Sequence, residues 1–166
     1  MHSRSRRQPM SENRSGIAEL DERIPFLLAQ LGAHVSSDFQ RRLAPMGADP
    51  RTYAVLLALA SADGQSQRQL SERLGIHRNA MVVVIDQLEQ RGLANRRPRP
   101  EDRRAVAVTL TAKARRLLPA LHEQGRELEN EIAAPLSSKE RAELRRLLQR
   151  VAARAGLIPG VHPELA

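Results

Sequence analysis

The sequence predicts a mainly helical fold with one small β-hairpin, and three observations carry that expectation. Apolar residues recur at three- and four-residue steps through most of the chain, which is the period of a helical face. Capping residues (Asp49, Ser66, Thr111, Ser137) and glycines (Gly75, Gly92, Gly156) punctuate those runs where helices start and stop. One stretch, Arg104 to Leu110 (RAVAVTL), alternates with period two, as a strand does.

In chain order, residues 1–16 carry Arg4, Arg6, Arg7 and Arg14 against Glu12, with Pro9 and Gly16, and read as a disordered basic arm. Ile24, Leu28, Leu31, Val35 and Phe39 define a long first helix to about Leu43, in a segment 17–47 closed by Pro45 and Gly47. Asp49-Pro50 starts the next helix, because Asp accepts free amide hydrogens and Pro has no N–H to waste in the first turn. It stops at Asp63-Gly64. Ser66 and Gln69 then have capping-box spacing, Leu70 and Leu74 share a face, and Gly75 suits a left-handed C-terminal position.

The segment from His77 to Arg91 contains Met81-Val82-Val83-Val84-Ile85, which alone would pass for a strand. Ala80, Val84 and Leu88 repeat every four residues, however, the flanks are helix formers, and Gly92 ends it. The pair is a helix–turn–helix. Leu93 to Arg97 and Arg104 to Leu110 flank a Pro-containing charged tip, giving a hairpin that acts as a wing and closes a domain at 48–111. Thr111 caps a helix whose Leu118, Leu121, Gly125, Leu128 and Ile132 step 3, 4, 3, 4 like a coiled-coil seam. Pro119 should kink it or mark its true first turn, and Pro135 stops it. A second capping box, Ser137 to Glu140, opens a last helix with Leu144, Leu147, Leu148 and Val151 on one face. The two helices fill 112–155; residues 156–166, with Pro159, Gly160 and Pro163, read as a frayed tail.

Composition narrows the function classes. The chain has 166 residues, one domain's worth, with no cysteine and a net charge of +8 carried by 25 Arg and 2 Lys. Absence of cysteine excludes disulfides, Cys-ligated metals and thiol switches and fits a reducing compartment. The charge points to a polyanion. Phe26, Phe39 and Tyr53 are the only aromatics, too few for a single-strand stacking platform, so duplex DNA is the expected partner. No apolar run approaches a membrane span, and the first sixteen residues lack a signal-peptide core, so a cytoplasmic, nucleoid location is expected. The five histidines show no metal-ligand spacing, and no phosphate loop or nucleophile elbow is present; neither an enzyme, a metal nor a cofactor is expected.

Three segments carry a resemblance: Gln69-Leu70-Ser71-Glu72-Arg73-Leu74-Gly75-Ile76, Ile85-Asp86-Gln87-Leu88-Glu89-Gln90-Arg91-Gly92-Leu93, and Asp102-Arg103-Arg104 with Val108-Thr109-Leu110-Thr111. The last fits Asp-x-Arg-x-x-x-Leu-x-Leu-Thr with Val108 for the first Leu. In these segments and in its order of elements, the chain resembles the MarR family of winged helix–turn–helix transcription regulators over about residues 20 to 155. The resemblance implies a sequence-specific regulator of the repressor kind. The alternative from another class is a nucleoid-associated protein that binds DNA by charge alone, without an effector.

With Ala80, Val84 and Leu88 inward, Arg78, Asn79, Val82, Val83, Asp86 and Gln87 point outward from the recognition helix. Arg78 suits guanine and Asn79 or Gln87 adenine; Val82 and Val83 can meet thymine methyls but donate nothing, where relatives often place Ser or Thr and then Arg. The wing brings six Arg between Arg91 and Arg104, among them Arg97, Arg99, Arg103 and Arg104, against Glu101 and Asp102. The resemblance implies that Asp102 braces the wing, that Asp86 pairs with Arg104, and that Arg103 enters the minor groove. It also implies a homodimer through the terminal helices, with Leu28, Leu31, Leu121, Leu128, Ile132 and Leu148 at the interface; the seam could instead pack on its own helices. Many relatives release DNA when a phenolic or other anionic aromatic ligand binds, for which His34, Phe39, Tyr53 and Leu57 are the candidate contacts.

Overall fold

The computed structural model describes residues 16–98 and 106–163. Over these the elements are α1 (Ala18–Asp21), α2 (Ile24–Leu43), a 3-10 turn (Ala44–Met46), α3 (Pro50–Ser61), α4 (Gln67–Leu74), α5 (Arg78–Gln90), β1 (Ala94–Pro98), β2 (Val106–Leu110), α6 (Ala112–Ile132) and α7 (Ser138–Arg154). The mainly helical fold with one hairpin is therefore present. The short α1 has no counterpart in the sequence reading, since four residues are too few for a period to show. The basic arm lies outside the described residues, Gly16 apart.

The chain divides into two compact units, Met1–Val35 and Ser36–Ala166. In the first, Ile17, Leu20, Ile24, Phe26, Leu28 and Leu31 are all solvent-exposed. The second holds the core. Leu43, Val55, Leu56, Leu59, Leu70, Met81, Ile85, Leu88, Leu93, Val108 and Leu121 are fully buried there, each worth about 1.5–3 kcal/mol relative to exposure.

Local signals set the helix ends. The Asp49 carboxylate accepts from the Thr52 amide at 2.7 Å, and Ser66 and Gln69 close a reciprocal capping box on α4. Thr111 caps α6 through the Ala114 amide at 3.1 Å. That cap fixes the true start of α6, so Pro119 lies inside the helix and not in its first turn. Ser137 and Glu140 form the second box, at the start of α7. Hydrogen bonds from the Ser137 hydroxyl and amide hold the Glu140 carboxyl below its ordinary range.

On α5 the buried stripe differs from the expected one. Met81, Val84, Ile85 and Leu88 are buried and Ala80 sits at the edge. Steps of four alone slant around a helix, whereas steps of three and four together run along it, so the core follows the latter. The hairpin pairs Ala94 with Leu110 through Pro98 with Val106. Gln65 adds a bridge to Val108, its carbonyl accepting from the Val108 amide at 2.8 Å. Asp63 anchors the same corner, accepting from the Leu110 amide at 3.0 Å and pairing with Arg115 at 2.5 Å.

Beyond α7 the expected frayed tail is instead a pair of turns up to Pro163. The Leu157 amide donates to Ala152 and the Val161 amide to Ile158, both at 3.1 Å. Val161 packs on Gly75, where an added Cβ would sit 3.3 Å from its Cγ1. The φ of +66 at Gly75 is what calls for glycine, and a Cβ there would also press Val161 to give way by a few tenths of an ångström.

Candidate nucleic-acid interface

Helix α4, a turn at Gly75 and Ile76, and α5 form the helix–turn–helix, locked by Leu70, Leu74, Ile76, Met81 and Ile85 in one core. His77 caps α5, its Nδ1 accepting from the Asn79 amide at 3.3 Å. The fixed inner face dictates the outer one. Arg78, Asn79, Val82, Val83 and Gln87 are all exposed, Val82 at 41% and Val83 at 54%.

The two acids of α5 are occupied. Arg96 of β1 pairs with Asp86 through Nη2 at 2.6 Å and with Glu89 through Nη1. Its own amide donates to Glu89 at 2.7 Å. The Gln67 amide, turned with its oxygen toward the guanidinium, accepts from Nη2 at 2.5 Å and Nε at 2.9 Å; guanidinium offers only donors, so the facing atom must be an acceptor. Arg96 thus ties β1 to both α4 and α5. Asp86 meets β1 through Arg96; its expected partner Arg104 lies outside the described residues, as do Arg99, Asp102 and Arg103. Arg97, at the outer end of β1, is exposed.

Arg96 was legible only as one of six arginines. The signal for its role is the spacing of Asp86 and Glu89, which puts two carboxylates on one side of α5 just before β1. Arg73 also serves the fold: it donates to the Ala58 carbonyl at 3.0 Å and the Ser61 hydroxyl at 2.7 Å, closing the end of α3.

Phe39 and Tyr53 meet edge to face with ring centroids 5.6 Å apart, and Tyr53 meets His122 the same way at 5.8 Å. The Tyr53 hydroxyl and His122 Nδ1 are 3.2 Å apart. Gly125 leaves room beside them, a Cβ there lying 3.9 Å from both Phe39 and Tyr53. Partial burial pushes the Tyr53 phenol above its ordinary pKa, so it remains a protonated donor at neutral pH. Leu57 is half-buried against the core, while His34 is exposed in the first unit. The sequence reading places Gly125 only in the α6 seam and does not bring it or His122 to Tyr53, from which they are 72 and 69 residues away with no local pattern to link them.

The seam of α6 needs correction. Leu121 is 0% exposed and Leu128 6% within the single chain, so both are interior residues and not a free interface. Ile132 and Leu148, and in the first unit Leu28 and Leu31, are exposed. No helix among the described residues is long and apolar enough to cross a membrane.

Comparison with known proteins agrees with this geometry. Residues 50–106 match the model of the MarR family. A Thauera aromatica protein named as a transcriptional regulatory protein for the hcr operon is 31% identical over 105 residues, which span 63% of this chain and 63% of that protein. Among solved structures, the transcriptional repressor CouR bound to a 23-mer DNA duplex superimposes with TM-score 0.73 at 31% identity, over 83% of this chain and 98% of that one. CouR from Rhodococcus jostii RHA1 bound to p-coumaroyl-CoA gives 0.67 at 29%, over 80% and 94%. Wild-type MarR from E. coli gives 0.67 at 25%, over 78% and 96%.

Proposed function

The chain belongs to the MarR family of transcriptional regulators, and on that premise we propose that it is a homodimeric repressor that reads duplex DNA with α5 and the β1–β2 wing. One observation carries the reading: the outer face of α5 presents Arg78, Asn79, Val82, Val83 and Gln87 to solvent while Arg96 holds both of the helix's acids. A major-groove reader needs hydrogen-bonding and apolar groups free on that face, and free carboxylates there would meet phosphate repulsion. Exposed Arg97, and from the sequence Arg99, Arg103 and Arg104, supply the wing's contacts to phosphates and the minor groove.

Two exposed apolar sets support dimerisation: Leu28 and Leu31 in the first unit, and Ile132, Leu144, Leu147, Leu148 and Val151 in the second. A monomer gains nothing from them. The same reading gives the Phe39, Tyr53, His122 and Gly125 cluster to an anionic aromatic effector, with Tyr53 and His122 as polar handles; the p-coumaroyl-CoA complex of CouR supports that ligand class.

The deciding experiment compares binding to the duplex upstream of the protein's own gene with binding to random duplex at physiological salt. Preference for the upstream duplex by at least about 10³ is expected of a specific regulator. Equal affinity with a steep salt dependence for both would instead identify charge-driven, non-specific binding.

A further inference from the structure

Helix α5 presents two outer ridges at steps of four, Arg78–Val82–Asp86 and Asn79–Val83–Gln87. Within the run Val82-Val83-Val84-Ile85, the last two residues are core, at 5% and 0% exposure, and the first two are not. The fold gives no reason for valine at 82 and 83. A β-branched residue on an exposed helical face loses side-chain freedom with only partial burial to offset it, and a straight-chain polar residue would make a better helix. At 41% and 54% exposure, the two methyl-bearing side chains are open to whatever the face touches.

Resting on the DNA-binding reading above, we propose that Val82 and Val83 are specificity-determining residues that read thymine C5-methyl groups, so that each half-site carries A·T pairs opposite the middle of α5. The thymine methyl is the one apolar group on the major-groove edge of the bases. The neighbours on the second ridge agree. Asn79 and Gln87 flank Val83 by one turn on either side, and amide side chains of this kind pair with adenine N6 and N7, the partner of thymine. A step of four residues rises about 6 Å, close to two base steps of about 3.4 Å, so the three side chains of the ridge can address separate positions. Charge completes the match: Arg96 occupies Asp86 and Glu89, leaving Arg78 as the exposed charge at the start of the same face.

The test replaces thymines of the bound upstream duplex one at a time by deoxyuridine, which removes the methyl and leaves every hydrogen-bonding group unchanged. The full-length protein and its Val82→Ala and Val83→Ala variants are titrated on each duplex by fluorescence anisotropy. One or two positions per half-site should each weaken wild-type binding about fourfold, the equivalent of about 0.8 kcal/mol for a buried CH₂. The penalty at such a position should vanish in one valine variant. Both sites are exposed and Ala is the better helix former, so neither variant should unfold. If the upstream duplex is preferred but no uracil penalty depends on Val82 or Val83, this inference falls and the regulator reading stands. If no duplex is preferred, both fall. Loss of self-association in either variant, measured by sedimentation, would assign the valines to a protein contact and overturn the inference as well.

Discussion

Arg96 separates a residue that touches DNA from one that positions others. Its guanidinium gives four of its five N–H groups to Asp86, Glu89 and Gln67, and two carboxylates already balance its charge, so it is a positioning residue and not a phosphate contact. Arg96→Gln should weaken binding to the upstream duplex about tenfold, the scale of one lost charged hydrogen bond of ~1.5 kcal/mol. The slope of log K against log salt should not change, because no phosphate contact is removed. Arg97→Ala, on exposed Arg97 one position along β1, should lower the magnitude of that slope by about 0.9. A reduced slope in Arg96→Gln would make Arg96 a contact after all. Global stability should fall by less than about 1 kcal/mol, since the carboxylates are a third to a half exposed. The sequence showed which arginines cluster, and it could not show this division of labour. That depends on which way β1 approaches α5, a tertiary fact with no local period.

At the scale of elements, the sequence was most informative where the physics is local. The capping boxes at Ser66 and Ser137, the Asp49 and Thr111 caps and the left-handed Gly75 are decided within four residues, and each stands where it was read. The sequence reading of the α5 stripe takes in Ala80 and misses Met81 and Ile85, because the row of four and the axial stripe share Val84 and Leu88. The two capping boxes also make a paired prediction. Helix α4 buries Leu70, Ser71 and Leu74, so its formation is coupled to the core, whereas α7 buries nothing within its own chain. Ser66→Ala should therefore lower global stability by about 1 kcal/mol, seen as a lower urea midpoint with an unchanged slope. In the monomeric chain, Ser137→Ala should only speed hydrogen exchange in the first turn of α7. Equal midpoints for Ser66→Ala and wild type would show that the α4 box is not coupled to the core.

For the whole molecule, a helical seam in a sequence states that something covers it and leaves open what does. The expected seam of α6 divides on this point: Leu121 and Leu128 are covered by their own chain, and Ile132 is left open at the C-terminal end of the helix. The open surface of α7 then sets the assembly prediction. Leu148 is 42% exposed in the single chain, so Leu148→Glu adds a charge at no expense to the core. In a two-fold dimer the change occurs twice. If each leucine contributes ~1.5–3 kcal/mol of burial, the dimer should weaken by at least about 100-fold, one factor of ten for every ~1.4 kcal/mol. Sedimentation at micromolar concentration should then show a shift toward monomer. Binding to the upstream duplex should weaken with it, because a lone subunit can engage only one half-site. Leu121→Glu provides the contrast: a charge at a fully buried position should abolish the folded state itself, visible as lost helical circular dichroism. A Leu148→Glu protein that sediments like wild type would remove α7 from the interface, and a Leu121→Glu protein that stays folded would overturn the assignment of α6 to the chain's own core.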